Sequence, residues 1–203
     1  STILDRDLRL VYQTSLPRRD LIALCQRIAS RPLSPPNIST LSKDLKISPR
    51  TIIQLLSALE SIFLLRVIPV EGGGRTGNLY WFEDQLEQDF LAQYTLSEEI
   101  RLLGAVYRNV RAQFEYRLGV TPRYFHYRTR AGSVVPLAIA TEGGVLGFYP
   151  LKSESQMSRA VRASIDSFLK TYEHSKVVVL TRDCQKAKAL NDRTLTAPYA
   201  AVL

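Results

Sequence analysis

The stretch Leu45–Leu59, LKISPRTIIQLLSAL, decides how the first third of the chain folds. Ser48 can accept a hydrogen bond from the first turn of a helix, and Pro49 suits the first helical position because its missing N–H group would have no partner there. Apolar residues then recur three and four positions apart, which predicts a helix with one buried face. The predicted buried positions are Ile52, Leu55, Leu56 and Leu59.

The elements around this helix predict a winged helix-turn-helix. A short helix that ends at Leu45, with Ser39 as its N-cap, comes before it, and two β-prone runs, Phe63–Val70 and Asn78–Phe82, come after it. This order of short helix, turn, longer helix and hairpin is typical of that motif. The loop between the two runs would be the wing, and Arg75 at its tip would be a candidate DNA contact.

The polar face of the longer helix carries the candidate DNA contacts. Arg50, Thr51 and Gln54 lie three and four residues apart on the face opposite the apolar stripe. In a helix-turn-helix these side chains would reach the major groove. The same helix carries one basic residue, so a winged helix that contacts protein instead of DNA stays open as an alternative.

The glycine-rich loop has the spacing of a phosphate-binding loop but lacks its chemistry. A phosphate-binding loop needs Lys and then Ser or Thr directly after its last glycine. Asn78 and Leu79 follow Gly77 here. The sequence therefore predicts no nucleotide site.

From Ser97 onward the pattern changes to that of an α/β unit with a mixed sheet. A long helix is predicted over 97–118, and an amphipathic helix over 157–172. The predicted strands are 124–129, 134–140, 145–151, 176–181 and a short last one at 199–203.

The net charge of +8 is concentrated in this second half. Residues 1–95 contain 11 basic and 10 acidic side chains, whereas residues 96–203 contain 16 and 9. The asymmetry indicates two units, the second facing an anionic partner, although a basic surface can also serve only solubility.

Composition also excludes several classes of protein. No apolar run approaches the roughly 18 residues that span a bilayer, so we expect no membrane segment. The first residues are too charged for a signal peptide. The only cysteines, Cys25 and Cys184, form neither a disulfide framework nor a zinc cluster, which favours a cytoplasmic location.

A longer pattern begins at Tyr127–Gly132, YRTRAG, and continues through a strand, a Gly-Gly turn and a strand that ends in Lys152 and Ser153. It resembles the C-terminal region of prokaryotic AAA-type ATPases, a region of unknown function that joins a winged helix to a PD-(D/E)XK nuclease-like fold. Stretches Ile3–Asp7, Leu45–Leu59 and Leu79–Leu86 are similar to its entering helix, its helix-turn-helix and its post-wing motif.

The resemblance implies an α+β chain with two domains. Residues 1–90 would form the winged helix-turn-helix, and residues 97–203 a restriction-endonuclease-like α/β domain with a mixed sheet. No Walker A or Walker B motif occurs. The chain would thus be either an excised C-terminal part of such an ATPase or a relative without the ATPase core.

The residues at the nuclease positions depart from the family pattern. Arg108 stands where the family has an acid in the long helix. Val134 and Pro136 replace the Glu and Asp of the first nuclease strand, and Pro150 replaces the Glu of the second. Only Lys152 matches. Such nucleases hold Mg²⁺ with these carboxylates, so the resemblance implies an inactive domain, a pseudoenzyme with no metal and no cofactor.

The two prolines also make a structural prediction. Proline cannot donate to a sheet ladder, and these strands should be central in the sheet. We therefore expect a bulge or broken pairing near Pro136 and Pro150. Lys152, near Arg108, could hold a phosphate without cleaving it, or it could be an ordinary surface lysine.

Three hypotheses for function follow. The first is a non-catalytic nucleic-acid-binding module with DNA as its partner. The second is a protein-interaction module tethered to an ATPase. The third, an active metal-dependent nuclease, is disfavoured by the missing carboxylates.

Overall fold

The computed structural model describes residues 7–13, 16–73 and 77–201. Within these ranges the chain is α+β with an eight-stranded mixed sheet, which confirms the coarse prediction of fold class. It divides into two compact units. The first comprises Ser1–Val67 and Asn78–Leu96, and the second comprises Ile68–Gly77 and Ser97–Leu203.

The first unit is mostly helical. Its elements are α1 (Leu8–Val11), α2 (Arg18–Ala29), α3 (Ile38–Leu45), α4 (Pro49–Ser61), the start of β1 (Leu65–Glu71), β2 (Asn78–Phe82) and α5 (Gln85–Leu91). Strands β1 and β2 form a β-hairpin, and the Glu83 N–H donates to the Leu64 carbonyl at 3.1 Å at its open end.

The predicted cap of α4 is confirmed, and that of α3 is wrong. Ser48 Oγ accepts from Thr51 N–H at 3.1 Å, and Pro49 is the first helical residue. The side chain that caps α3 belongs to Asn37, whose Oδ1 accepts from Thr40 N–H at 3.0 Å. Ser39 lies inside α3, because the helix begins one residue after Asn37.

The core of the first unit forms from the apolar faces of these helices and of the hairpin. The predicted α4 positions are all buried, at 0–1% exposure, and Leu21 and Leu24 of α2 are buried as well. Trp81 of β2 is also buried, and its indole N–H donates to the Pro32 carbonyl at 2.8 Å. This bond ties the hairpin to the proline-containing loop after α2.

The second unit is a mixed sheet with helices on both faces. Besides the end of β1, its elements are α6 (Glu98–Arg111), a π-helical turn (Ala112–Arg117), β3 (Arg123–Arg128), β4 (Val134–Thr141), β5 (Gly144–Leu151), α7 (Arg159–Thr171), β6 (Ser175–Thr181), β7 (Lys188–Asn191) and β8 (Thr194–Pro198). The strands have the order β1-β3-β4-β5-β6-β8-β7, with the end of β1 at one edge. Pairs β3–β4, β4–β5 and β7–β8 are antiparallel, whereas β1–β3, β5–β6 and β6–β8 are parallel.

Adjacent residues of β3 show that α6 and α7 cover opposite faces of the sheet. Tyr124 packs edge-on against Tyr107 of α6, with ring centroids 5.1 Å apart. Phe125 lies in the cluster around Phe168 of α7. Since successive side chains of a strand point to opposite faces, the sheet is buried on both sides.

The segment Ile68–Gly77 differs from the predicted domain boundary. The sequence placed it in a first domain of residues 1–90, but it groups with the second unit. The reason is that Val70 and Glu71 pair in parallel with His126 and Tyr127 of β3. Glu71 also forms an ion pair with Arg123.

The expected irregularities at the two prolines are confirmed. Phe125 is opposite Ala138 and Tyr127 is opposite Val135, so two residues of β4 face His126 alone. Pro136 is one of those two, and this is the geometry of a β-bulge. On the other side, β4 and β5 pair only as far as Leu137 and Phe148, which leaves Pro150 without a β4 partner.

The helix expected over 97–118 is confirmed in extent: it is α-helical from Glu98 to Arg111 and continues as a π-helical turn to Arg117. The prediction for the last strands is wrong. The last strands are β7 and β8, which the sequence analysis missed. Residues 199–201 form a 3₁₀ turn instead of the expected strand, and 202–203 lie outside the described residues.

Among the described residues, no helix is both long and apolar enough to cross a membrane.

Candidate functional site

The first candidate surface is the start of α4. The cap at Ser48 fixes where the helix begins, and its Oγ lies 2.7 Å from Thr51 Oγ1. Arg50 and Gln54 are exposed, and Thr51 is half-buried. The three predicted contact residues therefore lie on one accessible side of the helix, which we call the α4 surface.

The α4 surface also has apolar neighbours that the sequence analysis did not single out. Tyr12, just after α1, donates its hydroxyl to Gln54 Oε1 at 3.1 Å. Ile53 of α4 is 56% exposed, and Leu10 of α1 is 81% exposed. Gln54 is thus engaged within the chain, while apolar surface next to it is free for a partner.

Arg75, the fourth predicted contact, lies outside the described residues. The loop that contains it is described on both sides. Gly73 accepts a hydrogen bond from Arg130 Nε at 2.9 Å through its carbonyl, and Val70 N–H donates to the Gly77 carbonyl at 3.1 Å.

The second candidate region lies in the second unit, at the start of β4 and the end of β5. Val134 is half-buried, and Pro136 and Pro150 are buried. None of the three side chains carries an oxygen. The Pro136 carbonyl is also engaged, because it lies 2.9 Å from Nδ1 of the buried His126. Burial lowers the pKa of His126, so the neutral imidazole donates through Nδ1.

Lys152 meets carboxylates at this end of the sheet. Its Nζ lies 3.7 Å from Glu99 Oε1, and Arg182 Nη1 lies 3.7 Å from Glu98 Oε1. We call these four residues the charged cluster. Both acids belong to the first turn of α6, where Ser97 is the N-cap and the helix dipole favours negative charge.

Arg108, by contrast, lies further along α6 and is half-buried. At 1.5 Å of rise per residue, its backbone is about 13 Å along the helix axis from that of Glu99. The charged partner of Lys152 in the structure is Glu99. A phosphate site shared by Lys152 and Arg108 stays a prediction.

Tyr199 lies beside the charged cluster. Its hydroxyl donates to the Leu151 carbonyl at 2.5 Å, directly before Lys152. Burial raises the pKa of Tyr199 to about 12, with a smaller contribution from Glu98 and Glu99. The phenol is therefore a fixed hydrogen-bond donor at neutral pH.

Sequence reasoning missed Glu98, Glu99, Arg182 and Tyr199 as neighbours of Lys152. The pattern Ser97-Glu98-Glu99 is a helix-start signal and places the two acids at the beginning of α6. Nothing in the sequence indicates that this helix start meets the ends of β5 and β6.

The charged cluster consists of two ion pairs, Lys152 with Glu99 and Arg182 with Glu98. The paired charges cancel, so the cluster offers neither a surplus of cations for phosphate nor carboxylates without a counter-charge. In the described ranges, no group of three or more His, Cys, Asp or Glu residues is arranged to hold a metal ion.

Comparison with known proteins found no similar protein. No protein-family profile, curated protein or solved structure matches this chain.

Proposed function

We propose that the chain is a non-catalytic nucleic-acid-binding module, the C-terminal part of an AAA-type ATPase-like protein. In this proposal the first unit is a winged helix-turn-helix, and the second is an inactive nuclease-like domain. The observation that carries it is the α4 surface, where a capped helix start presents Arg50 to solvent. A helix start that presents polar side chains in this way can enter the major groove.

The non-catalytic half of the proposal rests on the ends of β4 and β5. A metal-dependent phosphodiesterase holds its ion with oxygen ligands from adjacent strands. Here the matching side chains are Val134, Pro136 and Pro150. The Lys152 ammonium faces the Glu99 carboxylate at 3.7 Å.

The DNA-binding half is tested by titration of labelled duplex and single-stranded DNA at two salt concentrations. If Arg50 reads a base, Arg50→Ala should cost about 1–3 kcal/mol and change sequence preference. Arg31→Ala is the matched control, because Arg31 is exposed in the first unit and lies outside α4. Equal affinities of both variants and the parent chain would refute DNA reading by α4.

The absence of cleavage is tested separately with plasmid and single-stranded DNA in Mg²⁺ or Mn²⁺. We expect intact DNA. Cleavage that co-purifies with the protein and is lost in Lys152→Ala would overturn the non-catalytic assignment.

A second function, docking of protein on the first unit, is favoured by the apolar neighbours of the α4 surface. Ile53, Leu10 and Val11 expose 53–81% of their surface. Buried apolar area drives most protein association, whereas DNA contacts are mainly charged and polar. Under this alternative, Ile53→Ser would weaken binding of a protein partner and leave DNA affinity unchanged. Loss of DNA affinity in Arg50→Ala, with binding of the protein partner unchanged, would support DNA binding instead.

A further inference from the structure

A cavity of about 510 Å³ lies in the second unit, beside the turn between β4 and β5. This volume falls within the roughly 300–1,000 Å³ that small-molecule sites occupy. The cavity forms where α6 changes to the π-helical turn, which supplies Phe114 to its wall. π-Helical turns occur frequently at functional sites.

Strand register places one row of side chains along this cavity. Ile139 of β4 is opposite Leu146 of β5, and Leu146 is opposite Lys176 of β6. Residues paired across strands share a face of the sheet, so two apolar side chains and an ammonium group follow one another on the same surface. The row has an apolar part and a cationic end.

The charges around the cavity favour an anion. The lining has two basic residues, Lys176 and Arg193, and Glu173 is the only acid among its described residues. The Arg193 guanidinium is engaged with the Leu169 and Tyr172 carbonyls at the end of α7, at 2.6 and 2.8 Å. Lys176 has no ion-pair partner among the described residues, so its ammonium is available to a ligand.

We propose that this cavity binds a small amphiphilic monoanion, a carboxylate attached to an apolar chain or ring. The carboxylate lies on Lys176 Nζ, and the apolar part packs against Phe114 and Leu146, which are half-buried beside the buried Ile139. A ligand needs both a negative charge and an apolar body to bind here. A charge contact with Lys176 alone is weak because the ammonium is exposed to water, and apolar contact alone is weak because Leu146 is only half-buried. It is independent of DNA binding by the first unit.

The test is calorimetric titration with octanoate, with octylamine hydrochloride and acetate as matched probes. Octanoate supplies both the charge and the apolar chain, octylamine reverses the charge, and acetate lacks the chain. We expect octanoate to bind at least tenfold more tightly than either. Absence of octanoate binding at about 10 mM, where even weak sites fill, or equal binding of octylamine would overturn the proposal.

Two variants locate the binding. Lys176→Gln should weaken octanoate binding by about tenfold, the effect of losing one charge-assisted hydrogen bond. Lys170→Gln, an exposed lysine of α7 outside the lining, should leave it unchanged. Amide NMR shifts on octanoate addition should centre on Gly143–Leu146. Equal effects of the two variants, or shifts centred elsewhere, would assign the binding to another surface.

Discussion

Replacing Gly144 with alanine should destabilise the second unit through one backbone contact. Gly144 begins β5 with a φ of +127°, a conformation that residues with a side chain rarely adopt. A Cβ built there would lie 2.3 Å from the carbonyl oxygen of His174. That oxygen accepts a hydrogen bond from Val145 N–H at 2.9 Å, so it cannot move without losing this bond.

The magnitude follows from these two costs. A residue with a Cβ held in a sparsely populated backbone region costs about 1–3 kcal/mol. Displacing the His174 carbonyl weakens a hydrogen bond whose net contribution is about 0.5–1.5 kcal/mol. Together they predict that the free energy of unfolding falls by about 1.5–4.5 kcal/mol.

The assay is urea unfolding followed by far-ultraviolet circular dichroism, and the neighbouring glycine provides the control. A Cβ on Gly143 would meet only Thr141 Oγ1, at 3.8 Å, an ordinary contact distance. Gly143→Ala should therefore change stability by less than about 1 kcal/mol. Equal losses in the two variants would refute the steric reasoning, because they share the same turn and the same added methyl group.

Three further predictions concern single contacts. Ser48→Ala should cost about 1 kcal/mol of unfolding free energy through loss of the α4 cap, whereas Ser57→Ala, at an exposed position of the same helix, should cost less than half of that in the same urea assay. Burial lowers the pKa of His126 in the folded state, so below about pH 6.5 the unfolded state binds more protons than the folded state. The free energy of unfolding should therefore be constant above that pH and fall towards pH 5, and His126→Gln should make this fall smaller. Trp81→Phe leaves the Pro32 carbonyl without its donor and should cost about 1–3 kcal/mol, measured by thermal unfolding.

The helices of the first unit could be predicted because their signals are local. Apolar spacing gave the buried face of α4, and the pair Ser48-Pro49 gave its start. The start of α3 could not be chosen from the same signals, since Asn37 and Ser39 are both good caps and lie two residues apart. The change to a π-helical turn after Arg111 adds only one residue to a turn, too small a shift for periodicity to reveal.

The contacts of the second unit were less predictable because they join distant parts of the chain. The bulge at Pro136 could be predicted, because the missing N–H group of a proline can be read from the sequence alone. The ion pair of Lys152 with Glu99 depends on where α6 crosses the sheet, which no short motif encodes. Strands β7 and β8 are short, and the alternation Thr194-Leu195-Thr196 was the only signal for the second of them.

The charged cluster provides the last prediction, which rests on DNA binding by this chain. Glu98 and Glu99 lie beside Arg182 and Lys152 and cancel their charge. The double variant Glu98→Gln, Glu99→Gln frees two cations at one end of the sheet. If the basic second half contacts phosphates there, DNA affinity should rise, and the slope of log K against log salt should steepen by about 2, close to one unit per phosphate contacted.

The matched control removes the same number of negative charges elsewhere. Glu142 and Glu173 are exposed acids of the second unit, and Glu142→Gln, Glu173→Gln gives the same net charge as the cluster variant. A net-charge effect acts at long range and would change the DNA affinity and salt slope of both variants alike. Phosphate contact at the charged cluster would change them only in the Glu98→Gln, Glu99→Gln variant. Thermal unfolding of both variants checks the fold, because the two acids at the start of α6 also stabilise that helix by about 0.3–1 kcal/mol each. Identical salt slopes in the two variants would exclude this end of the sheet from the DNA interface and leave the α4 surface as the candidate contact.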